Sequence, residues 1–202
     1  LRWEIKQPKP FLRTREFLWQ EGHCVFETEE EAIENMNEMI GEYKKLVEEL
    51  LAIPVLVGRK SKGEKFPGAV TTMTIESLMP DGKALQGGTS HNLGQGFAKA
   101  FDVKFKGRDE KDYYAWQTSW GFSTRLIGAL TMVHGDDKGM VIPPRIALNK
   151  VVIVPILFAD SHEEVLGEAE KIKERLKKFG AIIDDSENSP GYKFSEWELK
   201  GV

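Results

Sequence analysis

The sequence predicts an α+β protein in which antiparallel strand pairs and helices give way, late in the chain, to a small α/β unit. Three observations carry this. Segments with alternating apolar and polar residues are separated by turn signals, chiefly Pro8, Pro10 and Pro80-Asp81-Gly82. One stretch, Ala32 to Leu50, repeats its apolar residues at helical spacing. After Pro143-Pro144 an apolar run, a helix pattern and a second apolar run follow in β-α-β order, the signature of a parallel sheet.

The elements follow in order. Leu1 to Ile5 alternates large apolar and charged side chains, and Phe11 to Trp19 reads as a return strand. Together they predict a long-looped antiparallel hairpin. Thr28 is a good N-cap, and Glu29, Glu30 and Glu31 occupy the first turn, where the helix dipole favours anions. Ala32, Met36, Met39, Ile40, Tyr43, Leu46, Val47 and Leu50 then form the apolar face of a helix that ends before Pro54. Val55 to Val57 reads as a strand and Arg59 to Lys65 as a basic loop. Val70 to Leu78 and Lys83 to Gln86 are predicted strands, and Asn92 to Phe101 a short helix. Phe101 to Lys106 and Asp112 to Ser119 alternate like another antiparallel pair, and Leu126 to His134 reads as a buried helix. Lys150 to Leu157 is an unbroken apolar run, expected as a strand buried on both faces. Ser161 is expected to cap a helix from Glu163 to Phe179, which Gly180 stops before a strand at Ala181 to Asp184.

Bulk composition excludes some classes. Of 202 residues, 41% are hydrophobic and 30% charged, enough core for one large domain or two small ones. The net charge of -4 leaves a nucleic-acid partner open, because local basic patches matter more than the total. With one cysteine, Cys24, the chain can form neither an internal disulfide nor a four-cysteine zinc site. That fits a reducing compartment, and a cytoplasmic location is expected. No apolar run approaches the roughly 20 residues that span a bilayer, so no membrane partner is expected. The strand-like opening Leu-Arg-Trp-Glu, without Met or a signal pattern, predicts that the chain begins inside a larger protein.

The first hairpin concentrates arginine, glutamate and aromatic residues. Period-two alternation puts Arg2 with Glu4, Arg13 with Arg15, and Phe17 with Trp19 and Glu21. Such a face is either a set of ion pairs or a nucleotide site. In the second case guanidinium forks take phosphates, a ring stacks on a purine and a glutamate accepts from an exocyclic amine.

The run Phe11-Leu12-Arg13-Thr14-Arg15-Glu16-Phe17-Leu18-Trp19-Gln20-Glu21-Gly22-His23, preceded by Arg2-Trp3-Glu4, resembles motif 2 of the prolyl-tRNA synthetases of the archaeal and eukaryotic type. Glu64-Lys65-Phe66 with Thr71 to Glu76, and Gln86-Gly87-Gly88-Thr89-Ser90-His91, resemble further blocks of that family. Ser119-Trp120-Gly121-Phe122-Ser123-Thr124-Arg125 resembles motif 3, and Ser189 to Phe194 with Trp197 to Gly201 resembles its anticodon-binding domain. The resemblance implies a class II synthetase antiparallel sheet flanked by helices over residues 1–147, partial, and an incomplete anticodon-binding α/β domain over 148–202.

It also implies an activity: L-proline is activated with ATP to prolyl-adenylate and pyrophosphate, then passed to tRNA(Pro). A homodimer is implied, formed mostly by elements upstream of this chain, where motif 1 and the family's amino-acid loop also lie. Arg2, Arg13 and Arg125 would be catalytic. Arg2, Glu4, Arg13, Thr14, Phe17, Gln86, Thr89, Ser123 and Arg125 would bind ATP. Arg2, Trp19, Glu21, His23, Phe66, His91, Trp120 and Gly121 would line the proline pocket. Glu76 would be a ligand for Mg2+, as a hard oxygen donor should be. Ser123 stands where threonine is common in the family, and Ser186 where an arginine is usual. The alternative is a synthetase-like tRNA- or protein-binding paralogue without aminoacylation; the set Arg2, Glu4, Arg13 and Arg125 argues against it.

Overall fold

A computed structural model describes residues 2–202. The chain folds as two compact units, Leu1–Val133 and His134–Val202. The first is a five-stranded antiparallel sheet in the order β1-β7-β4-β3-β2, with β1 Trp19–Phe26, β2 Leu56–Arg59, β3 Thr71–Leu78, β4 Ala84–Gly94 and β7 Trp116–Ser123. A short hairpin, β5 Lys104–Lys106 with β6 Asp112–Tyr114, lies outside it.

Helix α1, Glu29–Lys45, starts where the sequence says it should. The Thr28 hydroxyl accepts the Glu31 N–H at 3.2 Å, and the Glu31 carboxylate accepts the Thr28 N–H at 3.1 Å, a reciprocal cap. The helix runs on as one π-helical turn, Leu46–Leu50. Ala32, Met36, Ile40, Tyr43 and Val47 are its buried residues. They reach one face of the sheet. There Ile40, Tyr43 and Val47 join Ile53, Val55, Ile75 and Met79, and Leu126 and Ala129 of helix α3, Arg125–His134. Burying a side chain such as Ile75 completely contributes about 1.5–3 kcal/mol, so this cluster is the main reason the helices stay on that face. The opposite face is left for function.

The opening hairpin is a correction. Leu1 lies outside the described residues, and neither Arg2 to Ile5 nor Phe11 to Leu18 forms a strand. Pro8 and Pro10 lack the N–H that a ladder needs. The chain closes instead with an Arg2 N–H to Arg15 carbonyl bond of 2.7 Å and an isolated Lys9–Arg13 bridge, and Phe11 takes φ 56° at the tip. The second correction is β4. Strand continues from Gln86 through Asn92 to Gly94, and helix α2 is only Gly96–Phe101. Gly87-Gly88 forms a bulge: the register passes from Ile75–Gly88 to Glu76–Gln86, with Gly87 left over. A Cβ on Gly88 would lie 3.1 Å from the Tyr43 ring and 3.3 Å from the Gly121 carbonyl, so close packing explains glycine there.

In the second unit β8 Val152–Ile153 pairs in parallel with β9 Ile182–Ile183, with helix α4, His162–Arg175, between them in sequence. The β-α-β order is as predicted; the strands are shorter and only half-buried. The expected strand buried on both faces does not form: Val152 and Ile153 are only half-buried. Ser161 precedes α4 but its side chain makes no capping bond. Gly180 does end the helical segment, at φ 68°. Helix α5, Pro190–Leu199, is capped by Ser189 with proline in the first turn. Asp184 ties it to β9. Its carboxylate accepts Trp197 Nε1–H at 2.7 Å and Ser186 Oγ–H at 2.7 Å, and its carbonyl accepts from the buried Lys193 ammonium at 3.0 Å. These bonds, Ser186 and Trp197 foremost, hold the Asp184 carboxyl below the usual carboxylate range.

Candidate active site

Cross-strand register builds the open face row by row, because directly paired residues of an antiparallel sheet share a face. One row runs His23–Ser119–His91–Thr72 across β1, β7, β4 and β3. The next runs Glu21–Gly121–Thr89–Thr74, and Trp19 is paired with Ser123 beyond it. Seven predicted site residues scattered from Trp19 to Ser123 therefore stand in neighbouring positions. Gly121 has to be glycine, since a Cβ would lie 2.8 Å from the Gln20 carbonyl.

A cleft of about 210 Å³ opens on this face, lined among others by Arg2, Phe17, Trp19, Glu21, Gln86, Thr89, His91, Gly121, Ser123 and Arg125. A smaller pocket of about 100 Å³ shares Arg2, Phe17, Ser123 and Arg125 with it and adds Glu4, Arg13 and Thr14. The two form one site with a polar floor and a cationic end. The cationic end has a clear cause. Arg125 is half-buried at the start of α3 and donates Nε–H to the Leu12 carbonyl at 2.9 Å. Burial first, then the Arg2 and Arg13 charges, pull its pKa below the usual arginine value. Among the described residues no carboxylate forms an ion pair with these three guanidiniums. Like charges gathered without a counter-charge repel, so the arrangement suits a polyanion. Arg2 also lies over the Phe17 ring, 5.2 Å from its centre, and Phe17 meets Trp19 edge to face at 5.3 Å.

His91 is the polar centre of the floor. Nδ1 is 2.9 Å from Thr72 Oγ1 and Nε2 is 3.1 Å from Thr89 Oγ1. Burial pushes its pKa down to about 4, so the ring is neutral at pH 7. Phe66 leans on it with ring centres 5.2 Å apart.

Four predicted residues stand differently, the first being Phe66, which leans on His91 but lines neither pocket. His23 lies at the exposed end of its row, 3.5 Å from Glu21, and does not line the cleft. Trp120 borders the cleft, but it belongs to the row Gly22–Trp120–Ser90 on the reverse face, and its indole covers Gly22, where a Cβ would meet it at 2.1 Å. Glu76 is on the open face but outside the cleft, and its carboxylate is held by the Lys60 ammonium. Among the described residues no three His, Cys, Asp or Glu side chains could hold a metal together. Sequence reasoning assigned no site role to Thr72, Gln20 and Ser119. Only strand register, which pairs Thr72 with His91, could have pointed to the first.

Comparison with known proteins identifies the family. The model of the class II tRNA synthetase core domain (G, H, P, S and T) matches residues 1–134, about two thirds of the chain. The chain belongs to the class II tRNA synthetase family. The anticodon binding domain matches residues 150–202, so the synthetase core is followed by that domain. Curated relatives include the proline–tRNA ligases of Natranaerobius thermophilus, 57% identical, Chlorobium chlorochromatii, 56%, and Cenarchaeum symbiosum, 55%. Each match covers 100% of this chain and 42–43% of the relative, so this class II synthetase chain spans less than half the length of those relatives. None of its helices is long and apolar enough to cross a membrane, among the described residues.

Proposed function

We propose that the protein carrying this chain is a proline–tRNA ligase, and that the open face of the sheet is its ATP and proline site. One observation carries the reading: Arg2, Arg13 and Arg125 converge, without a carboxylate partner, on a cleft whose floor is neutral and polar. In the first step a carboxylate oxygen of L-proline attacks the α-phosphorus of ATP, and the bond to pyrophosphate breaks. The carboxylate is already ionised at pH 7, so no general base is needed. Catalysis reduces to positioning and charge neutralisation, which fixed guanidiniums supply. Arg2 faces the α-phosphate, Arg13 the distal phosphates, and Arg125 sandwiches the nucleotide. Phe17 stacks on adenine, Glu4 accepts from its amine, and Gln86, Thr89, Thr14 and Ser123 hold ATP. Trp19, Glu21, His91 and Phe66 wall the proline ring, with Gly121 leaving room at the floor. A class II synthetase uses ATP with Mg2+, whose ligands in this reading come mainly from phosphates and water.

In the second step the 3'-terminal adenosine hydroxyl of tRNA(Pro) attacks the activated carbonyl and AMP leaves. Residues 148–202 meet the anticodon stem-loop. A cytoplasmic homodimer completes the proposal. The test is amino-acid-dependent ATP–pyrophosphate exchange by the full-length protein across a panel of amino acids. Exchange with proline, at least about 100-fold above any larger amino acid, is expected. No exchange by a correctly folded protein, or exchange with another amino acid alone, overturns the reading.

A further inference from the structure

Thr72 on β3 is paired with His91 on β4 and is 2% exposed. Its oxygen accepts the Phe66 backbone N–H at 3.1 Å and lies 2.9 Å from His91 Nδ1. A hydroxyl has one proton to give. Among the hydrogen bonds of the described residues, His91 Nδ1 is the one acceptor in reach of it. Leaving that proton unpaired in so dry a place would cost roughly 1–3 kcal/mol. The proton therefore goes to Nδ1, which as an acceptor carries none of its own. A neutral imidazole then keeps its proton on Nε2. Nε2 is 3.1 Å from Thr89 Oγ1, so it donates there. Thr89 Oγ1, used as an acceptor, has its own proton left, and Thr89 lines the cleft.

We propose that Thr72 is a positioning residue: it holds His91 as the Nε2–H tautomer and so turns the Thr89 hydroxyl into a hydrogen-bond donor aimed at the bound substrate. The chain of bonds runs in one direction, Thr72 O–H to Nδ1, Nε2–H to Thr89 Oγ1, and Thr89 O–H to an oxygen of the substrate. The neutral ring suits this, since an imidazolium would have no lone pair for Thr72. The cleft therefore selects an acceptor, not a donor, at Thr89. Thr72 also anchors Phe66 through its N–H, so one buried hydroxyl sets both the tautomer and the aromatic lid over the ring. The substrate half of the proposal rests on the ligase reading above; the tautomer half does not.

The experiment is 15N NMR of the histidine rings in the ligand-free full-length protein, with His91 assigned from the spectrum of a His91→Gln variant. Wild type is expected to show an unprotonated Nδ1 and a protonated Nε2 for His91. Thr72→Val, which keeps the shape and removes the hydroxyl, should lose the single tautomer, and Thr72→Ser should restore it. In exchange assays Thr72→Val should lower kcat/KM roughly tenfold, with Thr72→Ser within about twofold of wild type. A protonated Nδ1 in wild type, or unchanged His91 ring signals in Thr72→Val, overturns the proposal. The wild-type spectrum decides even if the valine variant fails to fold. It needs no substrate, so its failure is distinct from failure of the exchange assay.

Discussion

The cleft has one wall carried by strands and another carried by an irregular segment, and the two are held by different forces. On the strand wall, Thr89, His91, Gly121 and Ser123 take their places from register, fixed by ladder bonds along β1, β4 and β7. A side chain there cannot shift without its whole strand. On the other wall, Arg2, Glu4 and Arg13 sit on a segment with a few backbone bonds, an Arg15 Nε–H bond to the Ile5 carbonyl and ring contacts. Its side chains are mostly exposed and can adapt to a ligand. The difference teaches a division of labour. The rigid wall sets shape and hydrogen-bond polarity, and the adaptable wall brings charge.

Substitutions can break that comparison. The largest effect is expected on the charged wall: Arg2→Ala should lower exchange by at least about 100-fold while leaving the far-ultraviolet circular dichroism unchanged. Near-normal exchange would remove Arg2 from the site. On the rigid wall the cost should fall on folding instead. Gly121→Ala forces a Cβ to 2.8 Å from the Gln20 carbonyl and should destabilise the protein by about 1–3 kcal/mol in urea unfolding. An unchanged midpoint would mean that β1 can move away freely.

The third expectation concerns pH. His91 has a folded pKa of about 4 against an ordinary 6.5, so between these values the unfolded chain binds more protons than the folded one. Stability should therefore fall as pH drops from about 6.5 to about 4, by about 2 kcal/mol from this ring, given that solvent still reaches it. The immediate neighbours Thr72, Thr89 and Phe66 are uncharged and do not counter the trend. His91→Gln should flatten that part of the stability profile, and an equally steep profile in the variant would assign the slope to other groups.

How far the sequence reveals this molecule depends on the kind of signal. Local signals are legible: the Thr28–Glu31 cap, the buried face of α1 and the β-α-β order of the second unit all follow from near neighbours. The identities of the charged residues are legible too, because a run such as Arg13 to His23 is too specific for chance. Tertiary fit is not. Gly87 is the extra residue of a bulge inside a strand, and Gly88 beside it packs under the Tyr43 ring from a helix far away in sequence. The opening residues alternate like a strand, but prolines and a positive φ at Phe11 override the pattern. Trp120 reads as a pocket aromatic and its ring packs over Gly22, since which face a strand residue takes is set by register.

The Arg125 tether has a consequence of its own. One of the guanidinium's five N–H donors is spent on the Leu12 carbonyl, which fixes the plane of the group as well as its place. The same cation is thus a latch between the start of α3 and the tip of the opening segment. Loss of the latch and loss of the charge are separable. Arg125→Lys keeps the positive charge and gives up the planar fork, so amide hydrogen exchange in residues 9–15 should quicken even where a cation remains. Unchanged protection there would mean that the segment stands without it. If the latch holds, the site's order and its electrostatics are written in a single side chain, and a change at position 125 is felt first as loosened backbone at Leu12.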